Sequence, residues 1–157
     1  MLLIGVPNKA DQLWTFAMFS KILVPLDLSE PQMSNYAVRY AEALAKAFDA
    51  DIRLVNVQSL VPLPFLDYVP EDFDESVRRG LEDELASIAA DIDRAPERIS
   101  TSLLFGPVYQ KVLSEAESWG SDVVLLCSHR PEMERFLIGS NASAIVRHAN
   151  CSVIVLR

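Results

Sequence analysis

The polar residues best placed to do chemistry lie between Ser128 and Arg157, SHRPEMERFLIGSNASAIVRHANCSVIVLR. An apolar run, Val123 to Leu126, leads into a polar loop and then the small-residue turn Gly139-Ser140-Asn141. Glycine lets backbone approach an anion closely, a hydroxyl donates to it, and the first turn of a helix adds unpaired N–H groups and a positive dipole end. Gly139, Ser140 and Asn141 therefore form a candidate phosphate cradle. On these three residues alone a plain helix start competes, with Gly139 giving the turn and Ser140 the cap. His148 falls at the far end of the same helical segment, where a protonated imidazole suits the dipole, and is assigned no ligand role. Cys127 and Cys151 lie in or beside apolar strand-like runs and match no metal spacing, so they read as buried thiols of a reducing cytoplasm. The chain has no Walker lysine loop, G-x-G-x-x-G, G-x-S-x-G elbow, zinc ligand set or aspartate cluster for magnesium. The expectation is a binding protein and not an enzyme.

The elements that must position these groups alternate in type. Lys21 to Leu26 (KILVPL) reads as a buried first strand ending at Asp27. Ser29 and Gln32 suggest a capped helix start, followed by Met33, Ala37, Tyr40, Ala41, Leu44 and Phe48 at helical spacing. Strand two is Ile52 to Val57, and Gln58 to Pro70, with three prolines, reads as an irregular loop. A second helix presents Val77, Leu81, Leu85, Ile88 and Ile92 on one face and stops before Pro96. Strand three is Ile99 to Phe105. Gly106-Pro107 opens a third helix with Val108, Val112, Ala116 and Trp119 inward and Gly120 as its stop. Strand four is Asp122 to Cys127, a fourth helix starts near Ser140, and Ser152 to Arg157 closes the chain. Five strands alternating with four helices predict one α/β domain, a parallel sheet with helices on both faces. Such sheets bind ligands at the carboxyl ends of the strands where strand order reverses.

LLCSHR, a variable loop and LIGSNASAIVRHANCSVIVLR, together with ILVPLDLS near the start, resemble the universal stress protein family over Met18 to Arg157. The pattern SHRP followed by GSNA and VRHA-CSV is similar to that of its short single-domain bacterial members. The resemblance implies an adenine nucleotide alpha hydrolase-like fold, three layers α/β/α with strand order 3-2-1-4-5. The switch point would then lie between strands one and four, at Pro25-Leu26-Asp27 and Ser128-His129-Arg130. ATP-binding members carry a G-x2-G-x9-G-(S/T) loop. Here the two leading glycine positions fall on Cys127 and Arg130, and eight residues separate Arg130 from Gly139. By resemblance Asp27 accepts from the adenine amine and Val57 offers backbone groups to the ring edge, while Ser152 and Val153 line the phosphates. Asp27 read alone serves equally to order its turn. Arg130 has the fork that suits phosphate oxygens, with pairing to Glu132 or Glu134 as the alternative; His129 is expected to form the turn.

The implied function is an ATP-binding stress or regulatory protein, with magnesium recruited by Asp27 or the ligand's phosphates. The alternative is a dimeric interaction module of the same fold that binds no nucleotide. A response-regulator receiver is disfavoured because strand three ends Leu104-Phe105-Gly106 without an acid, and a flavodoxin because the loop Asp27-Leu28-Ser29-Glu30 is short and acidic. The last strand, residues 152–157, is expected to be an apolar edge that pairs with a second copy, giving a dimer that can assemble to a tetramer. A net charge of −8 argues against nucleic acid and anionic membranes as partners, and no apolar run approaches the roughly 20 residues of a spanning helix. Residues 1–17, with Trp14 and Phe16, are either an N-terminal extension or a stretch upstream of a start at Met18.

Overall fold

A computed structural model describes residues 19–59, 73–128 and 139–157. The strands are β1 (Lys21–Leu26), β2 (Asp51–Gln58), β3 (Ile99–Phe105), β4 (Val123–Cys127) and β5 (Ser152–Leu156). The helices are α1 (Pro31–Phe48), α2 (Phe73–Ala90), α3 (Val108–Trp119) and α4 (Ser140–His148), with one 3-10 turn at Pro96–Arg98. All pairings are parallel, in the order β3-β2-β1-β4-β5. Successive side chains of a strand point to opposite faces, which divides the core in two. Ile22, Val24, Ile52, Leu54, Val123 and Leu125 pack under α1 and α2, while Leu23, Val55, Val124 and Leu126 pack with Val112 and Ala116 of α3 and Ile145 of α4. Burial on both faces is why β1 and β4 read as unbroken apolar runs.

Two helix faces differ from expectation. The inward residues of α1 are Ser34, Ala37, Val38, Ala41 and Ala45, and Tyr40 turns outward, 45% exposed, with its ring edge against Tyr36 at a centroid distance of 4.9 Å. Small side chains let α1 lie close on the sheet, so the buried stripe is centred on them and not on the tyrosines. Val77 of α2 is likewise exposed, whereas Leu85 and, beyond the helix end, Ile92 are buried. Ser29 does not cap α1: Glu30 takes that position with no side-chain cap, Pro31 starts the helix, and the Ser29 hydroxyl donates to Asp27 Oδ1 at 2.6 Å. At the other end Asp49 adopts the left-handed conformation at φ 54°, and its carboxyl is held below the usual range by Arg94 and Arg98.

The β1–β4 seam is the least extensive junction in the sheet. Its ladder covers only Ile22↔Val123 and Leu23↔Val124, whereas β1 and β2 are in register from Lys21↔Asp51 to Leu26↔Asn56. Pro25 lacks the N–H a full ladder would use. At the amino end the seam is clamped by Asp122, whose Oδ2 accepts from Ser20 N at 2.8 Å and Ser20 Oγ at 2.6 Å while Oδ1 accepts from Lys21 N at 3.2 Å. Closed at that edge and without registered pairs beyond Leu23↔Val124, the seam is where the strand order reverses, the position at which sheets of this kind offer a ligand crevice.

Candidate functional site

The carboxyl-edge crevice is walled on one side by the end of β4. The Ser128 N–H donates to Leu156 O at 3.0 Å, carrying the β4–β5 ladder one residue further. The Ser128 hydroxyl oxygen accepts from Gly139 N–H at 3.0 Å. Residues 11 apart in sequence are thereby brought together, and α4 must begin beside the end of β4. Gly139 is the N-cap residue, at φ −55° and ψ 152°, and no side chain among the described residues caps the helix. Ser140 is the first helical residue and not the cap, which removes the plain capping alternative for it. It and Asn141 are exposed. The first-turn N–H groups have no acceptor within the helix and carry its positive dipole end, an arrangement suited to an anion. Gly139 is not required by backbone strain, since a Cβ there would meet only Ser128 Oγ at 3.8 Å. Cys127, half-buried, packs against the core cluster under α1, on the face of the sheet away from α4.

The opposite wall is the end of β1. Pro25 and Leu26 are its last residues, and Asp27 follows, exposed, with Oδ1 accepting from Ser29 N at 3.0 Å and from Ser29 Oγ at 2.6 Å. Its backbone carbonyl accepts from Glu30 N at 3.0 Å and from the buried Ser34 hydroxyl at 2.8 Å. Asp27 thus does order its turn, and that turn holds its carboxylate at the mouth of the crevice. Val57 lies one residue past the end of β1, paired with Leu104 of β3 on its other side.

His129 and Arg130 lie outside the described residues, as does most of the loop to Gly139. Ser152 and Val153 are a correction. Ser152 pairs with Val123 at the start of β4, and its N–H donates to Asp122 O at 3.1 Å, so both residues sit at the amino edge. Four strand steps, about 13 Å, separate Ser152 from Leu156 beside Ser128. They do not join the site.

Asn56 went unrecognised in the sequence. It is 3% exposed in β2 and donates from Nδ2 to Leu26 O at 2.9 Å, while its Oδ1 accepts from Gln58 Nε2 at 2.7 Å. The available signal was a pair of amides two residues apart, Asn56 and Gln58, at the end of β2. A hollow of about 500 Å³ between α3 and α4, lined by Glu117, Ser121, His148 and Cys151 among others, lies at the amino edge and contains none of the site residues. Among the described residues no cluster of His, Cys, Asp and Glu could hold a metal ion, and no helix is long and apolar enough to cross a membrane.

A model of the universal stress protein family matches residues 18–157. Universal stress protein G of Shigella flexneri is 36% identical over 143 residues, covering 89% of this chain and 100% of that protein. Among solved structures, a universal stress protein in complex with cAMP superposes at a TM-score of 0.65 and 17% identity, covering 89% of this chain and 98% of that one. The universal stress protein from Archaeoglobus fulgidus in complex with dAMP gives 0.59 and 17%, covering 89% and 99%.

Proposed function

Since the chain belongs to the universal stress protein family, we propose that it is a regulatory protein that binds ATP at the carboxyl-edge crevice between β1 and β4. The observation that carries this reading is the start of α4, without a side-chain cap among the described residues and pinned to the end of β4 by the Gly139 N–H to Ser128 Oγ bond. Phosphates would take the first-turn N–H groups and the Ser140 hydroxyl. Asp27 would accept from the adenine amine across the crevice, with Val57 at the ring edge. The cAMP and dAMP complexes of relatives support an adenine nucleotide. Magnesium would enter with the phosphates. ATP acts as a ligand, not as a substrate to be turned over, and the setting is cytoplasmic.

One observation favours a second reading. Cys127 and Arg130 occupy the positions where ATP-binding members have their leading glycines, which fits an interaction module that binds no nucleotide. Mass spectrometry of whatever is released from the denatured protein, followed by ATP titration with and without magnesium, separates the two. Co-purified or titratable ATP supports the crevice site; neither would leave the interaction module.

Both readings involve a homodimer through β5, extending to a tetramer. Strand β5 is an edge whose Val153, Ile154 and Val155 are only half-buried, and an apolar edge with open backbone groups pairs readily with its symmetry mate. Val155→Lys should convert the assembly to monomer in sedimentation velocity; an unchanged profile would place the contact elsewhere.

A further inference from the structure

We propose that Asn56 and Gln58 form a directional amide relay that selects a 6-amino over a 6-oxo purine, an inference that rests on the nucleotide reading above. Leu26 O can only accept, so the group Asn56 turns toward it must be its amide nitrogen. That choice leaves Asn56 Oδ1 facing Gln58, and Oδ1 can only accept, so Gln58 must present Nε2. Because Nε2 points inward, the Gln58 carbonyl oxygen Oε1 is directed away from Asn56. Each step is forced by the one before, and the starting point is a backbone carbonyl that cannot reverse.

The relay stands where a base would be read. Asn56 is the last residue of β2 in register with β1, opposite Leu26, so Gln58 projects two residues beyond the end of β1. Its backbone is fixed there by the Gly106 N–H, which donates to Gln58 O at 2.9 Å. The segment carrying Asp27 is held from two elements at once: Asn56 of β2 takes the carbonyl of Leu26 and Ser34 of α1 takes the carbonyl of Asp27. Asn56 is thus a positioning residue for Asp27 as well as for Gln58. Two acceptors, the Asp27 carboxylate and Gln58 Oε1, are then carried at the carboxyl ends of neighbouring strands, β1 and β2. An exocyclic amine has two hydrogens to give them, whereas a 6-oxo group would set a third acceptor against two.

ATP and ITP differ in the chemistry at the 6-position of the ring and carry the same phosphates, so they are the probes. The wild-type chain should prefer ATP. Gln58→Met keeps the volume and loses the acceptor, and should narrow the ATP-to-ITP ratio about fivefold, chiefly through weaker ATP, with a lowered thermal midpoint because Asn56 Oδ1 loses its donor. Asn56→Ala should narrow the ratio further and speed amide exchange at Ser29 and Glu30 about tenfold by loosening the Asp27 turn. ATP bound with an unchanged ratio in Gln58→Met overturns the relay and leaves the nucleotide reading standing. No binding of either nucleotide by the wild-type chain overturns the nucleotide reading, and the relay's selectivity with it. If Asn56→Ala does not fold, Gln58→Met, on a half-buried side chain at the end of its strand, still decides.

Discussion

Gly139→Asp is expected to abolish ATP binding, by about a hundredfold or more, while leaving the fold as stable as before or slightly more so. The two effects have opposite signs because one position does two jobs. Gly139 is the N-cap residue of α4, its backbone is in a region any residue adopts, and a Cβ there has room. An aspartate at that position can cap the first turn and meets the positive end of the dipole, worth up to about 1 kcal/mol. The same carboxylate would occupy the place proposed for the phosphates. Like charges brought together at a binding site cost several kcal/mol, and about 2.7 kcal/mol already corresponds to a hundredfold in affinity. Calorimetric titration beside thermal unfolding reads both. Unchanged ATP affinity in a folded variant would move the phosphates away from α4.

Leu125→Ala should destabilise the chain by about 3–5 kcal/mol, a large share of the 5–15 kcal/mol typical of a domain. Leu125 is fully buried in β4 and belongs to the cluster beneath α1. The surrounding sheet can relax only partly into the space a leucine leaves. Val77→Ala provides the comparison. Val77 is 44% exposed on α2, and its truncation should change stability by no more than about 0.5 kcal/mol. Urea denaturation of the two variants measures the contrast. A loss of under about 1 kcal/mol in Leu125→Ala would mean that β4 is not the packed centre of the sheet.

That contrast marks where the sequence is legible. β1 spans Lys21–Leu26 as its apolar run predicts, and Gly120 closes α3 at φ 70° as its position suggests. Strands buried on both faces leave little ambiguity, because nothing but an apolar run can fill them. Helix faces are harder. A tyrosine weighs more in an apolar pattern than an alanine, yet on α1 it is Ala37, Ala41 and Ala45 that touch the sheet and Tyr40 that faces out. In the crevice, Gly139 and Ser128 were legible as residue types next to a strand end and a helix start. Asn56 was not, because only the fold brings Leu26 O within reach of its amide. Ser152 and Val153, placed at the phosphates by resemblance, lie instead at the amino edge. The nine-residue helix in fact carries the chain back across the sheet by about 13 Å, and a parallel strand must start again at the far edge.

The short β1–β4 ladder also bears on the order in which the molecule assembles. Its partners are about 100 residues apart in sequence, whereas every other pair of neighbouring strands joins residues roughly 30 to 50 apart. Distant contacts close last, because the entropy of the intervening chain must be lost before they can form. The molecule is then two locally built halves, β1-β2-β3 and β4-β5, zipped together by two registered pairs and the Asp122 clamp. Native-state hydrogen exchange should find the amides of this zip opening at lower free energy than those between β1 and β2. The crevice has one wall in each half, so a ligand spanning it would act as a latch, holding shut the last junction to form and the first to part.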